Sequence, residues 1–257
     1  DRFECKDEDA QGPLFTLPGW PKPIHDFTGD HPHGSPDLVD AIAVSCNVYF
    51  AQLGLAIGPD PLVALQRDGV DVGYAPPLDP GKPGSRQLAS TAFGQGAMVM
   101  SPMQAARLAA TLASGGRYTR CPPTMELGAP CTSKDVVADP SSLAPILAGM
   151  RKVMTSGTGG KLDEPKGVRV YGKTGTADVR GFVGEESFGI APAAIASPHS
   201  WFVAFAESAA QPEGAEAAKG RLAIAVLVPR GGTGATAAGP LAMQMLAAAR
   251  DLGYLGQ

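Results

Sequence analysis

The stretch Tyr171-Gly172-Lys173-Thr174-Gly175-Thr176-Ala177-Asp178 constrains this chain more than any other. It follows Val168-Arg169-Val170, a β-prone run, so the sequence predicts a strand that runs into a site. Period-2 alternation puts Lys173 and Gly175 on one face of that strand and Thr174 and Thr176 on the other. Lysine supplies a compact charge, the two hydroxyls donate hydrogen bonds, and glycine admits a second backbone at close range. This is an anion-recognition set, and an extended ligand lying along the strand would pair with its backbone. The bland alternative is a strand ending in a turn. By ordinary residue usage such a tetrapeptide, with Ser allowed for Thr, occurs by chance in roughly one chain of this length in a hundred. The motif needs a partner.

Ser45-Cys46-Asn47 is the candidate. Ser-x-Asn is common by chance, but Asn47 is the only asparagine in the chain and lies two residues from a serine. An amide that both donates and accepts, beside a hydroxyl able to relay a proton, suits a peptide carbonyl. Ser-x-Asn followed at a distance by Lys-Thr-Gly is the pairing of penicillin-binding proteins and class A β-lactamases.

The run Asp37-Leu38-Val39-Asp40-Ala41-Ile42-Ala43-Val44-Ser45-Cys46-Asn47-Val48-Tyr49-Phe50-Ala51-Gln52-Leu53-Gly54 closely resembles the second-motif region of class B penicillin-binding proteins. Phe93-Gly94-Gln95-Gly96 with Ser101-Pro102-Met103-Gln104-Ala105-Ala106 resembles a loop and helix of that family. His199-Ser200-Trp201-Phe202-Val203-Ala204-Phe205-Ala206 resembles the strand after the Lys-Thr-Gly strand. Four blocks in the family's order cover most of the chain. One part of the pattern is missing. The family carries its nucleophile in a Ser-x-x-Lys motif upstream of Ser-x-Asn, and no serine here is followed three residues on by lysine. The near misses, Cys131-Thr132-Ser133-Lys134 and Thr158-Gly159-Gly160-Lys161, fall in the wrong order. Phe3-Glu4-Cys5 resembles a segment that follows the nucleophile helix, so the expectation is an N-terminally incomplete domain.

The formal charge of −4 and pI near 5.6 argue against nucleic acid as a partner. No apolar run approaches the roughly 20 residues of a membrane helix, and the resemblance places any anchor outside this chain. Cysteines at 5, 46, 121 and 131 show no metal-ligand spacing. Cys121 and Cys131 flank a Pro- and Gly-containing loop and could pair, with four free thiols as the equal alternative. His25, His31 and His33 read as solvated loop histidines, so neither metal nor cofactor is expected.

Residues 1–36 read as irregular. A helix is expected from a Ser35 cap, with Pro36 at its first position, to near Ser45; a second covers 48–57. Residues 58–92 read as Pro- and Gly-rich surface. Ser101 caps a helix that stops at Gly115-Gly116, and 140–156 carries an apolar stripe of helical period. Segment 178–198 is a long loop expected to overhang the site. Gly231-Gly232-Thr233-Gly234 reads as a flexible connection, and a last helix spans about 240–251.

The expected architecture is mixed α/β of the β-lactamase and transpeptidase type. An antiparallel sheet at about 165–257 would be flanked by helices, with a mostly helical lobe at about 35–156. The resemblance implies a five-stranded sheet, of which this chain supplies 168–177, 200–207 and 221–229. It also implies acyl transfer on peptidoglycan stem peptides, with β-lactams acylating the same serine. In that chemistry Ser45 relays a proton and Asn47 holds the substrate amide. Lys173 supplies positive potential, Thr174 and Thr176 take the terminal carboxylate, and the Thr176 N–H beyond Gly175 forms half of an oxyanion hole. These residues are expected to meet in one cleft. Implied partners are stem peptides, β-lactams and a membrane glycosyltransferase, at the extracytoplasmic face of a bacterial membrane. A β-lactam sensor, a serine β-lactamase and a non-catalytic domain lacking the serine are the competing readings.

Overall fold

The computed structural model describes residues 3–17, 19–20, 22–27, 30–73, 86–96, 98–121, 130–177, 197–210 and 220–255. The chain divides into two compact units, Asp1–Ser101 and Pro102–Gln257.

In the first unit, β1 (Glu8–Asp9), β2 (Gly12–Phe15) and β3 (Ile24–His25) form a small antiparallel sheet in sequence order. Four helices follow: α1 (Leu38–Val44), α2 (Asn47–Ile57), α3 (Asp60–Arg67) and α4 (Arg86–Ala92). The stretch expected to be Pro- and Gly-rich surface therefore holds two helices. The cap of α1 is Asp37 rather than Ser35: its carboxylate accepts the Asp40 N–H at 2.9 Å. A charged acceptor two residues further on caps the helix, and Pro36 lies outside it. Cys5, Ala41, Cys46, Val48 and Tyr49 form one buried cluster, closed over by Phe3, Phe15 and Phe50. Gly54 brings α2 against α4, since a Cβ there would overlap the Ala92 methyl.

The second unit starts with α5 (Pro102–Ala113), bounded as its Ser-Pro start and Gly-Gly stop predict. The hairpin of β4 (Arg117–Arg120) and β5 (Thr132–Asp135) comes next, and the Cys121–Cys131 disulfide joins its ends. A 3-10 turn at Pro140–Leu143 leads into α6 (Ala144–Thr155). The main sheet is β6 (Val168–Ala177), β7 (His199–Ser208) and β8 (Leu222–Val228), antiparallel in the order β6-β7-β8. These are the three strands expected. A final helix, α7 (Ala238–Asp251), closes the chain.

Helices α6 and α7 cover one face of the sheet. Gly172 lies against Phe202 and Met154, Thr174 meets Thr158 just beyond α6, and Ser200 Oγ accepts the Ala238 N–H at the start of α7. On the other face Tyr171 stacks on Phe205, and the Arg221 guanidinium lies over that ring and donates to the Ala113 carbonyl of α5. Helices α5 and α6, read from the sequence as part of a helical lobe, thus pack on the sheet. Strand β8 is an edge strand among the described residues, with only Ile224 deeply buried in spite of its continuous apolar run.

The turn at 231–234 is not a flexible connection. Ser200 Oγ donates to the Thr233 carbonyl at 2.7 Å, and the Gly239 N–H donates to Gly234 O at 2.8 Å. A Cβ on Gly234 would lie 2.7 Å from Gly175 N and would also overlap the Trp201 carbonyl. Both obstacles are backbone. Gly234→Ala should therefore cost about 1–3 kcal/mol, read as a lower denaturation midpoint, whereas Gly232→Ala meets only a side-chain hydroxyl at contact distance and is limited by its positive φ. A Gly234→Ala midpoint equal to wild type would refute the close approach. Segment 178–198, apart from Ser197 and Pro198, and the tip at 211–219 lie outside the described residues.

Candidate active site

In the second unit, β6 pairs with β7 so that Lys173 faces Val203, Thr174 faces Phe202, Gly175 faces Trp201 and Thr176 faces Ser200. Lys173 is half-buried and its Nζ donates to the Thr174 carbonyl at 2.9 Å. Burial lowers its pKa to about 8, because water no longer fully solvates the ammonium. Gly175 lies where a Cβ would meet the Trp201 Cβ at 3.0 Å, so only glycine lets β6 run close past Trp201. The hydroxyls differ in exposure. Thr174 is 8% exposed and shares a 2.6 Å hydrogen bond with Thr158, whereas Thr176 is half-buried.

In the first unit, Ser45 and Asn47 occupy the junction between α1 and α2. Ser45 caps α1 in the left-handed region, at φ 62 and ψ 42, and its N–H donates back to α1 carbonyls. A non-glycine residue there carries backbone strain, which clusters at functional sites. The turn ends one helix and lets the next begin at Asn47. Asn47 Nδ2 donates to the His25 carbonyl at 3.1 Å, tying α2 to β3. Cys46, between the two, is wholly buried. Its Sγ accepts the Tyr49 N–H at 3.2 Å and so caps α2.

Sequence reading missed what surrounds Cys46. Cys5, Asp26, His33 and Cys46 present donor atoms that all lie within 4.8 Å of one another. Asp26 Oδ2 is 3.4 Å from Cys5 Sγ, 3.3 Å from Cys46 Sγ and 3.3 Å from His33 Nδ1. His33 is therefore not a solvated loop residue. Its contact with the Asp26 carboxylate raises its pKa to about 10. The neighbouring Cys46, with His33, lowers Cys5 to about 6 against burial, and the neighbouring Cys5, together with burial, raises Cys46. Asp26 is pushed up by burial, but the hydrogen bonds from His33, Cys46 and the Val48 N–H outweigh this and keep it lowered. The gaps between the four residues follow no ligand spacing; the only local signal was a cysteine placed inside the Ser-x-Asn tripeptide.

A Lys-Thr-Gly-Thr strand beside a Trp-bearing antiparallel partner in one unit, and Ser-x-Asn between two helices in the other, are motifs of the β-lactamase and transpeptidase fold class. A family profile described as penicillin-binding protein transpeptidase domain matches residues 9–247, and the chain belongs to that family. It is 29% identical over 269 aligned positions to the peptidoglycan D,D-transpeptidase PbpA of Mycobacterium tuberculosis, covering 92% of this chain and 49% of the relative. To stage V sporulation protein D of Bacillus subtilis it is 30% identical over 167 positions, 56% of this chain and 25% of the relative. Among solved structures, the ceftriaxone acyl-enzyme complex of penicillin-binding protein A from M. tuberculosis superposes with a TM-score of 0.65 at 26% identity, covering 93% of this chain and 55% of that one. The chain spans about half the length of the PbpA relatives it matches.

Proposed function

We propose that this chain supplies the substrate-holding part of a peptidoglycan D,D-transpeptidase. The observation that carries the reading is the family match over 9–247, which includes both Ser45-Cys46-Asn47 and Lys173-Thr174-Gly175-Thr176. In the reaction, a serine oxygen attacks the carbonyl of the penultimate D-alanine of a stem peptide. The peptide bond breaks, D-alanine leaves with a proton, and the acyl-enzyme is resolved by the amine of a second stem peptide, which forms the cross-link. A β-lactam enters the same first step and stays as the acyl-enzyme; the M. tuberculosis relative was solved in that state with ceftriaxone.

The serine is one these 257 residues do not carry in Ser-x-x-Lys form. The residues present hold and polarise. Lys173 provides charge for the anionic substrate and the developing oxyanion. Thr176 donates its hydroxyl, the more open of the two, to the terminal carboxylate, with Thr174 joining once its bond to Thr158 exchanges. The Thr176 N–H, past Gly175, is half of the oxyanion hole. Ser45 relays the proton and Asn47 holds the substrate amide. The working place is the extracytoplasmic face of a bacterial membrane, with the anchor outside this chain and a membrane glycosyltransferase as partner; the Cys121–Cys131 disulfide supports an oxidising compartment.

Labelling with a fluorescent penicillin tests this. The 257-residue chain alone should take up no covalent label, because without the nucleophile there is no acyl-enzyme route. Joined to a segment bearing Ser-x-x-Lys from a matched relative or from its own gene, it should label stoichiometrically and hold the label. Stoichiometric acylation of a serine within the 257 residues would overturn the assignment, and rapid loss of the label would point to a hydrolase.

A further inference from the structure

We propose that Cys5, Asp26, His33 and Cys46 bind one zinc(II) ion in a tetrahedral structural site that fastens the N-terminal segment to the start of α2. Zinc bonds of about 2.3 Å to sulfur and about 2.0–2.2 Å to nitrogen or oxygen fix the edges of a tetrahedron at about 3.5–3.6 Å for sulfur to oxygen or nitrogen, and about 3.4 Å for nitrogen to oxygen. Four of the six edges lie close to those separations, and all four donor atoms lie within 4.8 Å of one another. Sulfur to oxygen is 3.4 Å and 3.3 Å, Cys5 sulfur to His33 Nδ1 is 3.7 Å, and His33 Nδ1 to Asp26 Oδ2 is 3.3 Å. Two cysteines, one imidazole and one carboxylate oxygen are the donor types zinc selects.

The surroundings have the form of a second coordination sphere. Asp26 Oδ1 accepts the Val48 N–H at 3.1 Å, which leaves Oδ2 for the cluster. Cys46 Sγ accepts the Tyr49 N–H at 3.2 Å. His33 turns Nδ1 inward, and its Nε2 faces the Asp30 carboxylate, with Oδ2 at 3.7 Å, the side on which a ligating histidine finds its outer carboxylate partner. Cys5 is held by paired backbone bonds with Gly34, next to His33. Both cysteines are fully buried and Asp26 is 5% exposed. Without an ion, one carboxylate oxygen would have to serve both thiols and the imidazole at once. On binding, the ion displaces thiol protons to solvent and neutralises most of the charge on two thiolates and a carboxylate.

The site would anchor the residues on either side of Cys46, the proposed Ser45 relay and Asn47 amide holder. That consequence rests on the transpeptidase reading; the metal site does not, because its readout is metal content. The intact gene product, purified without a polyhistidine tag or chelating resin, should hold about one zinc per chain by elemental analysis. Replacing zinc with cobalt(II) should give the visible absorption of a tetrahedral thiolate site. His33→Ala and Cys46→Ala should each reduce bound zinc at least tenfold, while Cys121→Ser/Cys131→Ser keeps it. Chelation should lower the thermal midpoint by roughly 5 °C or more. Folded wild-type protein with no metal and no cobalt spectrum would overturn the proposal. So would a Cys5–Cys46 disulfide in the freshly purified protein, an equivalent of another metal, or zinc that survives loss of His33 and Cys46.

Discussion

Lys173→Ala should slow acylation by a β-lactam about 10²–10³-fold in a protein that unites this chain with the Ser-x-x-Lys nucleophile, the usual cost of removing one preorganised donor from an oxyanion site. The ammonium is half-buried on β6 and touches the Thr174 carbonyl, so its field acts where water screens it poorly. The loss should have a pH signature. Burial lowers the Lys173 pKa to about 8, so the charged form is present below that pH and lost as pH rises through it. The acylation rate should fall across that range in the wild type, and the Lys173→Ala profile should lack that limb. Stability runs the other way. Between about 8 and the ordinary lysine value of 10.5, the unfolded chain holds more protons than the folded one, so stability rises with pH there. Rate constants for penicillin uptake at several pH values check the first claim. A Lys173→Ala protein that labels at the wild-type rate would sink the role assigned to this lysine.

The Lys173 strand was legible because strand propensity, alternation and motif agree along one continuous run. Its existence as a strand follows from local sequence, whereas its pairing with 199–208 and the close approach of Gly175 to Trp201 are contacts between distant segments, foreshadowed only by the resemblance of the 199–206 block. The Ser45 turn was legible through the motif, but its left-handed backbone was not, since serine carries no sign of positive φ. What escaped was built by tertiary contact. Cys5, Asp26, His33 and Cys46 come from two loop segments, the residue after β3 and the cap of α2, and no short spacing joins them. The turn at 231–234 looked mobile from its glycines. Those glycines instead let the backbone lie against Gly175 and Trp201, and composition alone cannot separate freedom from close approach.

Glu207 supplies the other large effect. It was read only as the end of a strand, yet it is fully buried, with Oε1 accepting from Arg169 at 3.0 Å and Tyr171 at 3.2 Å and Oε2 from Arg221 at 2.8 Å. The signal was the basic residues at 169 and 221, which strand pairing brings to the sheet end where Glu207 lies. Arg169 and Arg221 are 18% and 13% exposed, so removing the carboxylate takes the charge they share away from two poorly hydrated guanidinium groups. Glu207→Ala should cost about 3–5 kcal/mol, as breaking a buried ion pair from one side does. In a chain of this size that corresponds to roughly a 10 °C fall in thermal midpoint. The triple change Arg169→Leu, Glu207→Leu and Arg221→Met should recover much of the loss, because apolar side chains of similar volume avoid the desolvation penalty. The recovery should remain incomplete, since Arg221 also lies over the Phe205 ring and donates to the Ala113 carbonyl at the end of α5. Denaturant melts of the three proteins decide it: a Glu207→Ala cost below about 1 kcal/mol, the range of an exposed pair, would mean that the network does not hold β6, β7 and β8 together.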